Sequence, residues 1–416
     1  MIFYGYLLLF TLFLIECFEI FLTYLNLKHI KDSKVNTPPE RLFQIFDKKD
    51  VYLAFDYQSE KGRLDIIRRI CNIPFFYLLF ISGYIQIYSS YLNRYFHNDI
   101  IAAVIFFSSF AIYSFLINLP FTLYDIFTID QKYHFNKMTL PLFIRDTLIS
   151  GVISLVIMVV LLAVITFLKN NFQDIWWLCA ALFVSLFLIL LNYIYPVFIA
   201  PIFNKFEKIE DNDLINKISH VTEVAHFPLE KIFKMDASKR STHSNAYFTG
   251  FGSKRRVVLF DTLLNNHSND EIVSILAHEI GHYKLGHIKK GLILSNVSIF
   301  ILFFLIGLMI NRDFIYSSFG FEQRVYIGLF LSMLFLSPLN FIVQPLFSYF
   351  SRRHEYQADN FAINITKKGE IFIQTIIKLY KDNLANPYPH PLYKIFYYSH
   401  PTLFERIENI NRGEDK

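Results

Sequence analysis

The sequence predicts a mainly α-helical, polytopic membrane protein with seven spans, plus a smaller polar part in which helices accompany a short β-sheet. Three observations lead there. Hydrophobic residues fill 54% of the 416 positions and charged residues only 18%, too few to coat a soluble domain of this length. Apolar runs long enough for a bilayer core, about 20 residues each, recur along the chain. Phe and Tyr number 47 and 26, which suits lipid-facing helices and interfacial belts.

Taken in order, the seven runs cover residues 2–25, 73–92, 101–121, 148–168, 175–198, 292–309 and 325–350. The first is too long for a signal-peptide core and no small-residue cleavage site follows it, so it reads as a retained span. Basic residues set the orientation. Ten Lys and Arg fall within residues 28–69, and Lys132, Lys137 and Arg145 lie between the third and fourth runs. The opposite side carries only Arg94, Lys169, Arg312 and Arg324. The positive-inside rule therefore puts the N-terminus outside or in a lumen and the C-terminus in the cytosol, as an odd number of spans requires. Glu16 and Glu19 interrupt the first run. Facing lipid they would cost a few kcal/mol, so they are expected to meet a neighbouring helix or a polar interior.

The chain then divides into residues 1–199 with five spans, a polar segment 200–290, residues 291–350 with two more spans, and a polar tail 351–416. Each polar segment is short for an independent domain, so the two are expected to fold together on the cytosolic side. Cys17, Cys71 and Cys179 lie in or beside apolar runs without metal-ligand spacing. They read as small buried hydrophobes rather than a disulfide framework or a thiolate site. No basic tract interleaved with aromatics is present, so nucleic acid is not an expected partner.

Chemistry concentrates in Glu271-Ile-Val-Ser-Ile-Leu-Ala-His278-Glu279-Ile-Gly-His282. Ile272, Ile275, Leu276 and Ile280 recur at helical spacing behind a polar Asn-Asp start. On a helix His278 and His282 stand one turn apart, so both imidazoles can face one metal ion. Glu279 sits beside the first of them, placed to take a proton from water that the ion has acidified. The plain alternative is a helix with two surface histidines and an unrelated Glu. The apolar context counts against it, because unpaired polar groups there are costly.

A third ligand is needed. A metzincin continuation would have Gly at 285 and His at 288, where this chain has Leu285 and Ile288. His287 is one residue out of that register; on a continuing helix it faces away and reads as a solvated histidine. The third ligand is then expected to be acidic and to come from a second helix. Arg352-Arg-His-Glu355-Tyr-Gln-Ala-Asp359 offers two carboxylates one turn apart on one face, while His354 points about 100° away. Spacing alone leaves two readings open: Glu355 on the metal with Asp359 behind a ligand histidine, or a surface helix of salt bridges.

At this point the chain resembles the type I CAAX prenyl proteases, seven-span zinc endopeptidases that process farnesylated proteins. The likeness runs through Phe18-Glu19-Ile-Phe-Leu-Thr-Tyr-Leu, Leu119-Pro120-Phe-Thr-Leu-Tyr124 and Phe135-Asn-Lys137-Met-Thr. It continues in Asn245-Ala246-Tyr247-Phe-Thr-Gly-Phe-Gly-Ser-Lys-Arg-Arg-Val257-Val258-Leu-Phe-Asp261, then the metal helix, then Glu355-Tyr-Gln-Ala-Asp359, and ends in Tyr398-Ser-His400-Pro-Thr-Leu-Phe-Glu-Arg406. The resemblance implies a barrel of seven tilted helices around a water-filled chamber, closed at its cytosolic end by a gluzincin-like domain. It implies one Zn2+ per chain held by His278, His282 and Glu355, with Glu279 as the base and Asp359 behind the ligands. His400 would donate to the developing oxyanion, with Arg406 supporting its position. Asn245, Ala246 and Tyr247, together with Val257 and Val258, would present a strand edge to an extended peptide; residues 257–260 are strong strand formers.

The implied activity is removal of the C-terminal aaX tripeptide from prenylated CAAX proteins, extending to an upstream N-terminal site. The implied partners are prenylated CAAX proteins or peptides and membrane lipid. In a eukaryote the implied location is the endoplasmic reticulum membrane, with the N-terminus lumenal. Two departures bear on the compartment: the loop between the sixth and seventh runs has only about 15 residues by the bilayer-length reading, and the tail lacks a dilysine signal. Two further readings are an HtpX-like quality-control protease, for which about four spans are usual, and a non-enzymatic prenyl-tail-binding or transport protein. The second gives no reason for Glu279 beside the histidines, since structural zinc sites favour four protein ligands.

Overall fold

The computed structural model describes residues 2–35, 40–249 and 255–414. Residues 250–254 of the motif that begins at Asn245, and residues 415–416 of the tail, lie outside the described residues. The chain is mainly helical, and all seven apolar runs fall on helices. Six of these helices are each long and apolar enough to cross a membrane: Phe3–Val35, Asp99–Asp130, Leu140–Asn171, Trp176–Phe203, His287–Met309 and Val325–Thr366. The seventh candidate is a bent pair, Lys48–Ile81 and Tyr84–Tyr95, which meet at 55°. Gly83 makes that corner with φ +73°, a backbone conformation open to glycine at no steric cost.

The surfaces of these helices show what surrounds them. Only 6% of the most apolar window of Leu140–Asn171 is buried against the rest of the chain. So much exposed hydrocarbon on one molecule is the mark of a lipid-covered surface. Inside this half, aromatic rings fill the helix junctions: Phe106 packs on Tyr326, Phe110 and Phe330. Glu16 and Glu19 both turn towards Arg69 on the next long helix, with Glu16 Oε2 at 3.2 Å, and Asp65 Oδ2 holds the same guanidinium at 3.0 Å. The charges inside the first span therefore meet a partner, as their cost in lipid demands. The cysteines are free; Cys17 is exposed and the other two are half-buried, rather than packed away as the sequence suggests.

The polar segments build one core. Four strands, β1 (Phe206–Lys208), β2 (Lys231–Met235), β3 (Ala246–Thr249) and β4 (Arg256–Phe260), form a sheet in the order β1-β2-β4-β3. The strands β2 and β4 run parallel, and the two outer pairs are antiparallel. Val257 and Leu259 pack with Ile272, Leu276 and Ile280, and with Phe372, Leu403 and Ile410 from the tail. The two polar segments thus share a core across the intervening spans, as their lengths predict. Ile30, Leu42, Val51 and Phe55 join it from the first loop, so the N-terminal region is part of the same packing unit.

Candidate metal centre

Two helices bring the site together. Asn269–Lys284 starts with a capping box: Ser268 Oγ accepts from the Glu271 N–H, and Glu271 Oε2 accepts from the Ser268 N–H at 2.7 Å. It packs along the C-terminal part of Val325–Thr366, with Gly281 set tightly against Ala358. A Cβ on Gly281 would stand 3.2 Å from both Cα and the carbonyl oxygen of Ala358. Glycine therefore lets the helix carrying His278 and His282 approach the helix carrying Glu355.

The three side chains converge. His278 Nε2 lies 3.1 Å from His282 Nε2 and 3.3 Å from Glu355 Oε2, and His282 Nε2 lies 3.2 Å from Glu355 Oε1. Ligand atoms held about 2.0–2.1 Å from a tetrahedral ion are separated by about 3.3–3.4 Å. The observed separations lie near that spacing, with Glu355 turning one carboxylate oxygen towards each imidazole. Glu355 Oε2 is buried without a hydrogen-bond partner, a costly state for a carboxylate oxygen unless a cation completes it. The residues present therefore fit a metal ion, and the fourth corner is left to water or substrate.

Behind the triangle, Asp359 Oδ1 stands 2.8 Å from His278 Nδ1, and Arg406 grips the same carboxylate through Nε at 2.9 Å and Nη2 at 2.6 Å. Asp359 is fully buried, so this fork supplies its charge partner. Arg406 thus bonds Asp359 rather than His400. His400 Nε2 approaches Glu355 Oε1 at 3.5 Å, and its Nδ1 lies 3.0 Å from Ser399 Oγ. A cavity of about 160 Å³ joins His278, Glu279, Glu355, His400, Asn245 and Ala246. Burial pushes the Glu279 carboxyl above its usual pKa, against the pull of the two histidines.

The expected strand edge needs correction. β4, with Val257 and Val258, is an interior strand paired to β2 on one side and β3 on the other, so neither valine offers a free edge. Val257 is fully buried, and Val258 points with Tyr247 into a different cavity of about 610 Å³ on the far face of the sheet. Among the described residues the outer strands are β1 and β3, and β3 is the one that starts at the site, beside Asn245 and Ala246 of the small cavity. The Phe260 N–H donates to the Asn245 carbonyl, so alternation turns the backbone groups of Ala246 outward. The Asn245 side chain covers the outward Ala246 N–H at 2.8 Å.

His287 is the second correction. It is buried, with its Nδ1 3.1 Å from His282 Nδ1, instead of solvated. The metal helix ends at Lys284 and Gly286, at φ +72°, swings the chain round before the next helix begins at His287. The glycine just past the helix end was the signal available in the sequence.

Comparison with known proteins decides the family. Residues 208–414 match Peptidase family M48, and residues 26–205 match the CAAX prenyl protease N-terminal region of five membrane helices. CAAX prenyl protease 1 of Saccharomyces cerevisiae is 33% identical over 428 residues, covering 96% of this chain and 93% of its own length. This chain belongs to the CAAX prenyl protease 1 family of M48 metallopeptidases. The Arabidopsis thaliana homologue is 33% identical and covers 95% of each chain; the human homologue is 31% identical and covers 92% of this chain and 90% of its own. The crystal structure of S. mikatae Ste24p superposes with a TM-score of 0.91 at 32% identity, covering 99% of each chain. Near-complete coverage sets the HtpX-like and non-enzymatic readings aside: the family is a metallopeptidase embedded in a membrane.

Proposed function

We propose that this protein is a zinc endopeptidase that releases the terminal aaX tripeptide of prenylated CAAX proteins and also cuts at an upstream N-terminal site. The observation that carries the reading is the convergence of His278, His282 and Glu355, with Glu279 lining one small cavity together with His278 and Glu355. Two imidazoles, one carboxylate and an open corner are the donor set that zinc favours in hydrolytic sites. Bound there, the ion supplies a Lewis acid that acidifies water and polarises a peptide carbonyl.

The chain's own residues do the rest. A substrate in extended form adds to the open edge of β3 through main-chain hydrogen bonds, displacing the Asn245 amide from Ala246. Glu279 takes the proton of the attacking water as its oxygen bonds the scissile carbonyl carbon. It then gives that proton to the leaving amine nitrogen as the C–N bond breaks. Its raised pKa suits both halves of this exchange. A neutral His400 retains one N–H, and Nε2–H directed at the carbonyl oxygen stabilises the charge that develops there. Asp359 and Arg406 keep His278 oriented.

The seven spans are read as a barrel about a water-filled chamber, with the N-terminus lumenal and the peptidase segments 200–290 and 351–416 cytosolic. The spans themselves occupy 1–199 and 291–350. The Lys and Arg distribution supports this orientation. A eukaryotic source places it in the endoplasmic reticulum membrane, where a prenyl chain holds the substrate at the lipid surface. The test is cleavage of a farnesylated CAAX peptide and its unprenylated twin by the purified protein, with products weighed by mass spectrometry. Release of an intact tripeptide, faster from the farnesylated peptide, is expected. Equal cutting of both at scattered bonds would overturn the substrate assignment.

A further inference from the structure

His278 has a carboxylate behind it; His282 has a second imidazole. His287 Nδ1 lies 3.1 Å from His282 Nδ1, and His287 Nε2 lies 2.9 Å from Gln357 Oε1. The His287 ring also stacks on His354 at 4.1 Å and 11°. Stacking, burial and two polar contacts leave this ring little freedom.

The proton positions follow from the geometry. His282 Nε2 is the atom aimed at Glu355 and His278, so a cation at the triangle takes the Nε2 lone pair. The neutral ring then carries its proton on Nδ1, which must donate. Its neighbour at 3.1 Å is His287 Nδ1, which can accept only if His287 holds its own proton on Nε2. Gln357 Oε1, an acceptor at 2.9 Å, selects that tautomer. The donors then run in one direction, from His282 to His287 to Gln357, with each group satisfied.

We propose that His287 is a positioning residue of the metal centre: it accepts from His282, fixes that ligand's tautomer and ring plane, and raises affinity for the ion, with Gln357 setting its own tautomer. The inference rests on the zinc reading of the site. Removal of such outer partners typically weakens metal binding by about 10–100-fold. His287 does this for His282 as Asp359 does for His278, with an uncharged acceptor in place of a carboxylate.

The shape of the side chain allows a test that separates hydrogen bonding from packing. In His287→Asn the amide oxygen falls near the lost Nδ1 and can still accept. In His287→Gln the amide reaches the Nε2 position and leaves a methylene opposite His282. His287→Phe fills the space and accepts nothing. Zinc affinity is read by chelator competition on the full-length purified protein, alongside thermal melting of each zinc-free form. The expected result is zinc bound about 10–100-fold more weakly by the Gln and Phe variants and within a few-fold of wild type by the Asn variant. The zinc-free melting points should not follow that order. Equal affinity in all three variants, or an Asn variant as weak as Phe, overturns the inference while leaving the metal site intact. If wild type itself binds no zinc, the metal reading fails and the inference falls with it.

Discussion

Placing a methyl group on Gly281 tests the claim that helix approach builds the metal centre. The new Cβ would meet Ala358 Cα and O at 3.2 Å and Phe361 Cδ1 at 3.1 Å, where ordinary contact begins at 3.4 Å. Phe361 can rotate, but Ala358 offers backbone. The helices must therefore part by about 0.2–0.3 Å, beside the turns carrying His282 and Glu355. Metal–ligand distances tolerate about 0.2 Å, so the triangle opens past what one ion can span without strain. Overpacking costs about 1–3 kcal/mol, and alanine returns about 1 kcal/mol of helix propensity, so the net loss of fold stability is small. Gly281→Ala is thus expected to melt close to wild type yet bind zinc at least about tenfold more weakly. Chelator competition and thermal melting read the two effects separately. Wild-type zinc affinity in this variant would refute the idea that close helix contact sets the ligand spacing.

Three other perturbations follow from the same contacts. Arg406→Leu strips the fully buried Asp359 of its fork and should cost about 3–5 kcal/mol in unfolding experiments, with Asp359→Asn in the same background recovering part of it; no recovery would remove the buried charge as the cause. The proposed base Glu279 acts as the carboxylate, and burial raises its pKa, so activity should fall with decreasing pH on a limb lying above the usual glutamate value. A limb at or below that value, with zinc content constant across the range, would contradict the assignment. Arg69→Leu leaves Glu16 and Glu19 without their cation; these groups are only partly buried, so a loss of about 1 kcal/mol in detergent melting is expected, reduced by Glu19→Gln.

Much of this arrangement could be read from residue order. Hydropathy located the six span-length helices and part of the bent pair among the described residues, because exposure to lipid leaves an unbroken apolar signature. It could not show the 55° corner in that pair, since Gly83 lies inside an apolar run and the bend is a matter of one backbone angle. Helical spacing paired His278 with His282 and Glu355 with Asp359, but distance between two helices is not a sequence property. The family resemblance singled out Glu355, and the structure brings it within 3.3 Å of both histidines. The same helical logic failed at His287, because it assumed a helix that Gly286 ends. Residues 257–260 were recognisable as a strand from β-branched composition. Strand order was not, so Val257 and Val258 were joined to Asn245, Ala246 and Tyr247 in one substrate edge, whereas β4 lies inside the sheet and β3 at its border. Gly281 and Gln357 gave no signal: one matters through a neighbour's backbone and the other through a contact 70 residues away in the chain.

The most direct test of the central claim compares wild type with Glu279→Gln on a farnesylated CAAX peptide, with zinc assayed in both proteins. Glutamine keeps the shape but cannot accept the water's proton. Both proteins should hold about one zinc per chain, and the variant should cleave at least about 10²-fold more slowly. Undiminished cleavage by Glu279→Gln, or full wild-type activity after the metal has been removed, would contradict a metallopeptidase working through this site.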